Sequence, residues 1–168
     1  MAAEFKTYFR SEIGLIEIVS DDEAIKALYF IDDEAQIKPI NQSNKPNILN
    51  ECLTQLQDYF EGRRTEFSLK LDPDGTSFQK AVWQQLLNIP YGQTASYLDI
   101  ARMVGNTKAV RAIGAANGQN RISIIIPCHR VIGSNGKLTG YGGGLWRKAW
   151  LLQHEGLLNT QLALFDPK

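Results

Sequence analysis

The chain has 168 residues, 43% of them hydrophobic, with 18 Lys and Arg balanced by 18 Asp and Glu. That is enough apolar chain to bury a core without disulfide staples, as one larger domain or two small ones. Cys52 and Cys128 lie far apart with no CxxC spacing, the N-terminal MAAEFKTYFRSE is charged throughout, and no apolar run approaches membrane-spanning length, which excludes a disulfide framework, a signal peptide and a transmembrane helix and predicts a cytoplasmic protein with no membrane partner.

The first elements are short β-rich runs, KTYFRS, GLIEIVS and AIKALYFI, separated by acidic turns at Asp21-Asp22 and Asp32-Asp33. Residues 38–47, KPINQSNKPN, read as a polar linker. NILNECLTQLQDYF then sets Leu49, Cys52, Leu53, Leu56, Tyr59 and Phe60 at helical spacing, with Gly62 as the stop. Cys52 on that stripe is a core thiol. EFSLKLD predicts a further strand, and DPDG a turn that marks a boundary near Gly75. Charge divides at the same place: residues 1–74 hold 8 Lys and Arg against 15 Asp and Glu, and residues 75–168 hold 10 against 3. A basic half on a neutral protein suits a polyanion, so nucleic acid enters as a candidate partner. Two domains are expected, 1–74 and 75–156, followed by a tail, 157–168.

In the basic half, Ser77 can cap a helix with Phe78, Ala81, Val82, Leu86 and Ile89 on one stripe, stopped by Pro90-Tyr91-Gly92. SYLDIARMVGNTKAVRAIGAANGQN follows. Leu98, Ala101 and Val104 make one apolar face, Gly105-Asn106 a turn, and Thr107 a cap for a second helix with Val110 and Ile113 inward. This is a helix-turn-helix pattern, or an ordinary helical hairpin. The second helix exposes Lys108 and Arg111 beside small residues, Ala112, Gly114 and Ala115 among them. A thin face with one long cation fits a nucleic-acid groove, with the arginine able to fill the space of an extruded base.

SIIIP reads as a buried strand that ends at Cys128. An unperturbed thiol is only roughly 3% thiolate at neutral pH, so a nucleophilic cysteine needs a base or a positive field. His129 and Arg130 adjoin it. Alternate residues of a strand point to opposite faces, so His129 would need a bridging water or a turn at Pro127 to reach the sulfur. These residues alone leave Cys128 open between packing and chemistry. Metal binding is disfavoured, because Cys52, Cys128, His129 and His154 lack paired ligand spacing. GYGGG, residues 140–144, has no GK[ST] after it; it suits a flexible pocket wall, with Tyr141 able to stack on a flat ligand. LWRKAWLLQHEG is a helix with Leu145, Ala149 and Leu152 on its stripe. It sets Glu155 at a C-terminus that disfavours negative charge, a placement that an imidazole partner would explain.

Residues from about 75 to 156 resemble the O6-alkylguanine-DNA alkyltransferases. The resemblance is carried by GTSFQKAVWQQLLNIPYGQTASY, RAIGAANG, PCHRV, TGYGGGL and the terminal HEG. It implies an α+β protein of two domains, a small N-terminal α/β domain and a mostly helical, winged helix-turn-helix-like C-terminal domain. It implies that Cys128 takes an alkyl group irreversibly from O6-alkylguanine in double-stranded DNA, with O4-alkylthymine as a further candidate, in a single turnover with base flipping. His129 becomes the base acting through water, Glu155 its orienting carboxylate, Asn120 a hydrogen-bonding support and Tyr97 a phenol that helps neutralise the departing guanine. Arg111 would occupy the vacated stack on a helix bound in the minor groove. Tyr141, Gly142, Gly143 and Lys148 would line or support the pocket. No metal and no cofactor are expected, and a monomer is. A lesion-binding protein without chemistry and a thiol hydrolase using Cys128, His129 and Glu155 are the alternatives. In the tail, Gln161-Leu162-Ala163-Leu164-Phe165 resembles the pentapeptide that docks bacterial proteins on the DNA polymerase sliding clamp, with Gln161, Leu164 and Phe165 as anchors; folding back onto its own domain is the alternative.

Overall fold

The structure, a computed structural model, describes residues 3–37 and 44–157, and the chain divides into two compact units at Asp74 and Gly75.

In the first unit, β1 (Phe5–Ser11), β2 (Gly14–Ser20) and β3 (Ile25–Ile31) form an antiparallel sheet in the order β1-β2-β3. The register sets Phe9, Ile16 and Phe30 in one row and Thr7, Ile18 and Leu28 in the next, all on one face. The helix α1 (Asn47–Phe60) lies on that face, with Phe60 stacked on Phe9 at 5.7 Å and Leu49, Cys52, Leu56 and Tyr59 buried. On the opposite face the buried Glu17 carboxylate accepts the hydroxyls of Tyr8 and Tyr29. EFSLKLD differs from expectation. It runs extended but pairs only once, at the Ile25–Leu71 bridge, because the Gln55 side chain takes the backbone N–H of Ser68 and donates to its carbonyl, which turns those groups away from a ladder.

The second unit is mostly helical: α2 (Ser77–Leu86), α3 (Tyr97–Val104), α4 (Val110–Gly118) and α5 (Leu145–His154), with a two-residue parallel pair between β4 (Ala95–Ser96) and β5 (Val131–Ile132). The cap of α2 is Thr76, one residue before the expected Ser77, because Thr76 and Gln79 form a reciprocal capping box. Trp83 on α2 donates its indole N–H to the Ala116 carbonyl of α4 at 2.9 Å, fixing the two helices face to face. Ser96 and Asp99 make a second capping box at the start of α3.

The helix-turn-helix is formed by α3 and α4. Gly105 closes α3 at φ +88°, and the Asn106 side chain accepts the Lys108 N–H in the turn. Thr107 does not cap α4; the helix starts two residues later than expected, after Ala109, with no side-chain cap. Ile113 is buried as expected, but Val110 is exposed, since the later start turns the first helical residue outward.

The apolar run before Cys128 is not a strand. Ile122 to Ile126 is a buried, tightly turned segment with Ile126 N–H bonded to Ile122 O, and Ile124 takes φ +72°, a backbone region that β-branched residues rarely enter. Cys128 heads a short 3-10 helix, Cys128–Arg130. Strand pairing is replaced by Asn120, whose amide donates to the Ile122 and Ile126 carbonyls at 3.2 and 2.8 Å. Among the described residues no helix is long and apolar enough to cross a membrane.

A Cβ on Gly105 meets no atom within 4 Å, so the cost of substitution there is conformational alone. Gly105→Ala is expected to destabilise the second unit by about 1–2 kcal/mol, read as a lower thermal midpoint; an unchanged midpoint would show that the turn tolerates the strain.

Candidate active site

Four segments converge on Cys128. The 3-10 helix supplies Cys128, His129 and Arg130; the segment after α4 supplies Asn120; the end of α5 supplies Glu155; and the first turns of α5 supply Lys148. Cys128 is only 5% exposed, and its Sγ accepts a hydrogen bond from Asn120 Nδ2 at 3.1 Å. The carbonyl of Cys128 accepts from Asn117 of α4. One amide, Asn120, therefore holds both the turn and the sulfur it presents.

His129 is fully buried and its Nε2 meets Glu155 Oε2 at 2.8 Å. Its Nδ1 is buried with no hydrogen-bond partner among the described residues, and the ring makes no direct hydrogen bond to Sγ. Arg130 closes the far side of the carboxylate, with Nε on Oε1 at 2.7 Å and Nη2 on Oε2 at 3.1 Å. Glu155 caps α5, where the dipole opposes its charge, and this guanidinium is what offsets that. Burial raises the Glu155 carboxyl, but the hydrogen bonds and charges of His129 and Arg130 outweigh burial and hold it well below the usual carboxylate range. Burial lowers His129, so the ring is a neutral base near neutral pH.

Lys148 is fully buried, and burial lowers its ammonium to about 8. It donates to the Thr139 carbonyl at 2.6 Å, and the Tyr97 hydroxyl reaches the side chain of the same threonine at 3.0 Å. Thr139, in the loop between β5 and α5, thus joins α3 to α5. Burial raises the Cys128 thiol, while Asn120 and the charge of Lys148 pull it down. Tyr141 is half-buried, and burial followed by the nearness of Cys128 raises its phenol well above its ordinary value. Gly143 accepts from Arg147 at 3.0 Å, and Gly142 is exposed.

Lys108, Arg111, Ala112 and Ala115 lie exposed along the turn and α4, and Gly114 faces the Tyr97 ring. They form an exposed face that meets the network at Tyr97. Gln161, Leu164 and Phe165 lie outside the described residues. The sequence reading missed Arg130 and Thr139 as parts of the site. A charged residue inside the apolar PCHRVI was a signal for Arg130, since a buried guanidinium requires a partner; Thr139 meets Lys148 through its carbonyl and Tyr97 through its hydroxyl, and a single threonine in a loop gave no signal.

Fold and site together define a two-domain protein with a helix-turn-helix beside a buried cysteine, histidine and glutamate. The 6-O-methylguanine DNA methyltransferase DNA binding domain family matches residues 77–157, and the ribonuclease-like domain of the same methyltransferases matches residues 5–73. A methylated-DNA–protein-cysteine methyltransferase of Methanosarcina acetivorans is 48% identical over 88% of this chain and 96% of its own. The crystal structure of the Mycobacterium tuberculosis O6-methylguanine methyltransferase overlays with a TM-score of 0.80 at 42% identity, covering 91% of this chain and 93% of that one. The M. tuberculosis protein in complex with DNA overlays at 0.79, again at 42% identity, over 93% and 97%. The chain belongs to the O6-alkylguanine-DNA alkyltransferase family.

Cys52 is fully buried, its thiol pushed up to about 12 by burial. Thiol labelling of the native protein followed by peptide mass analysis is expected to mark Cys128 first and Cys52 only on unfolding; labelling of Cys52 at the same rate would contradict its burial. Glu155 is ionised more easily folded than unfolded, so its stabilisation is complete above the ordinary carboxylate value of 4.5 and drains as pH falls below it. Glu155→Gln should therefore be less stable than the parent at neutral pH, with the gap narrowing below about pH 4. A gap independent of pH in urea titrations would rule out that linkage.

Proposed function

We propose that Cys128 is the single-use acceptor of an alkyl group from O6-alkylguanine in double-stranded DNA. The observation that carries the reading is the chain of contacts from Glu155 to His129, which commits Nε2 and leaves the buried Nδ1 as the atom able to take a proton through one water. The thiol proton passes by that route to His129. The thiolate then attacks the alkyl carbon, a carbon–sulfur bond forms as the carbon–O6 bond breaks, and the electron pair leaves with guanine, which gains a proton with help from Tyr97. A thioether has no ready hydrolysis, so each chain acts once. No metal or cofactor is needed for these steps.

The buried state of Cys128 requires the target base to be brought out of the stack, at a cost of about a few kcal/mol that is smaller for a poorly paired lesion. We assign the groove contact to α4, with Lys108 on phosphate, Ala112, Gly114 and Ala115 as the close-approach face and Arg111 filling the vacated stack. Tyr141, Gly142 and Gly143 form the pocket wall, and Lys148 supports it through Thr139. O4-alkylthymine is a second candidate substrate. The protein works as a monomer in the reducing cytoplasm, consistent with two free, buried cysteines. In the tail, Gln161, Leu164 and Phe165 dock on the sliding clamp.

Incubation with excess duplex containing O6-methylguanine should add one methyl group per chain, on Cys128, and Cys128→Ser should gain none. An unmodified chain would favour a lesion-binding protein, and many lesions consumed per chain a hydrolase. For the tail, Leu164→Ala with Phe165→Ala should abolish clamp binding in a titration; equal affinity would sink the assignment.

A further inference from the structure

Arg130 is a buried cation that joins the Glu155 carboxylate to the turn after α2. Its guanidinium spans the Glu155 carboxylate from Oε1 to Oε2, and its Nη1 donates to the Ile89 carbonyl just after α2 at 2.6 Å. The Gly92 N–H adds a 3.3 Å contact to Oε1. The carboxylate therefore accepts from Arg130 on two oxygens, from Gly92 on one and from His129 on the other. A carboxylate gripped by a planar fork cannot rotate about its last torsion, so the plane in which it meets the imidazole is fixed. Ile89 and Tyr91 anchor that fork in turn: the guanidinium lies 5.8 Å from the Tyr91 ring centre. Gly92 has φ +77°, and a Cβ there would come within 3.0 Å of the Glu155 carbonyl, so this turn closes tightly on the end of α5.

We propose that Arg130 is a positioning residue for alkyl transfer: by clamping Glu155 against the turn after α2, it fixes the ring of His129 with its Nε2 proton on Glu155 and its Nδ1 lone pair available to the thiol. This rests on the reading of Cys128 as acceptor and His129 as its base. Its side-chain hydrogen bonds go to Glu155 and the Ile89 carbonyl and not to the Cys128 sulfur, so Arg130 acts through Glu155 and His129. Its charge also opposes protonation of both His129 and Glu155, and the other ionisable groups facing the pair are Tyr91, Cys128, Tyr141 and Lys148. Removing the guanidinium makes either member of the pair easier to protonate, which distinguishes positioning from mere packing.

The test is the single-turnover rate of methyl transfer from an O6-methylguanine duplex to the full-length chain, followed across about pH 5 to 9. Arg130→Met should slow transfer about 10- to 100-fold near neutral pH and move the acid limb of the profile up by about one unit or more, with duplex affinity unchanged. Arg130→Lys should recover part of both effects. An Arg130→Met protein with the acid limb of the parent overturns the proposal even if its rate falls uniformly. Should Arg130→Met fail to fold, Arg130→Lys decides: slower transfer with a mixed tautomer in the nitrogen-15 spectrum of His129 supports the clamp, and parental rate and tautomer overturn it. A parent chain that transfers no methyl group to Cys128 defeats the underlying reading instead of the role of Arg130.

Discussion

One carboxylate organises the second unit. Glu155 sits where a helix end repels it, buried, and is kept there by His129, Arg130 and the Gly92 N–H. An isolated buried charge of this kind would be costly by several kcal/mol, and it survives only because both oxygens are matched by donors, His129 and Arg130 from the 3-10 helix and Gly92 from the turn after α2. The 3-10 helix, the turn after α2 and the end of α5 are therefore obliged to meet at one point. The sulfur follows from that meeting, since Cys128 is the residue before His129.

Around this centre the unit divides labour between buried and exposed faces. Ile113 and Ala116 of α4 fill the core while Arg111, Ala112 and Ala115 remain outside. Asn117 and Asn120, on the inner side of α4 and just beyond it, reach the carbonyl and the sulfur of Cys128. The helix that carries the exposed Arg111, with the segment just after it, is thus tied by two amides to Cys128. Thr139 makes a comparable link, receiving Tyr97 from α3 and Lys148 from α5.

Much of this was legible in the sequence wherever a signal was local or periodic. The three strands and α1 announce themselves by alternation and helical spacing, and Gly105 marks the turn of the helix-turn-helix because a left-handed position favours glycine. The pairing of Glu155 with His129 was readable from a carboxylate at the wrong helix end. The failures have a common physical origin. SIIIP has the composition of a strand, yet the Asn120 side chain, a few residues upstream, satisfies the carbonyls that a neighbouring strand would take. EFSLKLD loses its ladder in the same manner to Gln55. Thr76 and Ala109 replaced the expected caps because a hydroxyl caps only where the backbone around it allows. Side chains that compete for backbone groups leave no periodic trace, and neither does a fork such as Arg130, whose partner lies 25 residues away.

Ile124 carries a last consequence. A β-branched residue at φ +72° stores on the order of 1–3 kcal/mol in the turn that leads to the sulfur, and the buried isoleucines on either side hold it there. Enzymes that cycle must let product out, and their reactive loops are selected to reopen quickly. A protein consumed by its first reaction has no second substrate to admit, so nothing selects for a loose loop. Its reactive turn can be as stiff and as strained as aiming one sulfur requires.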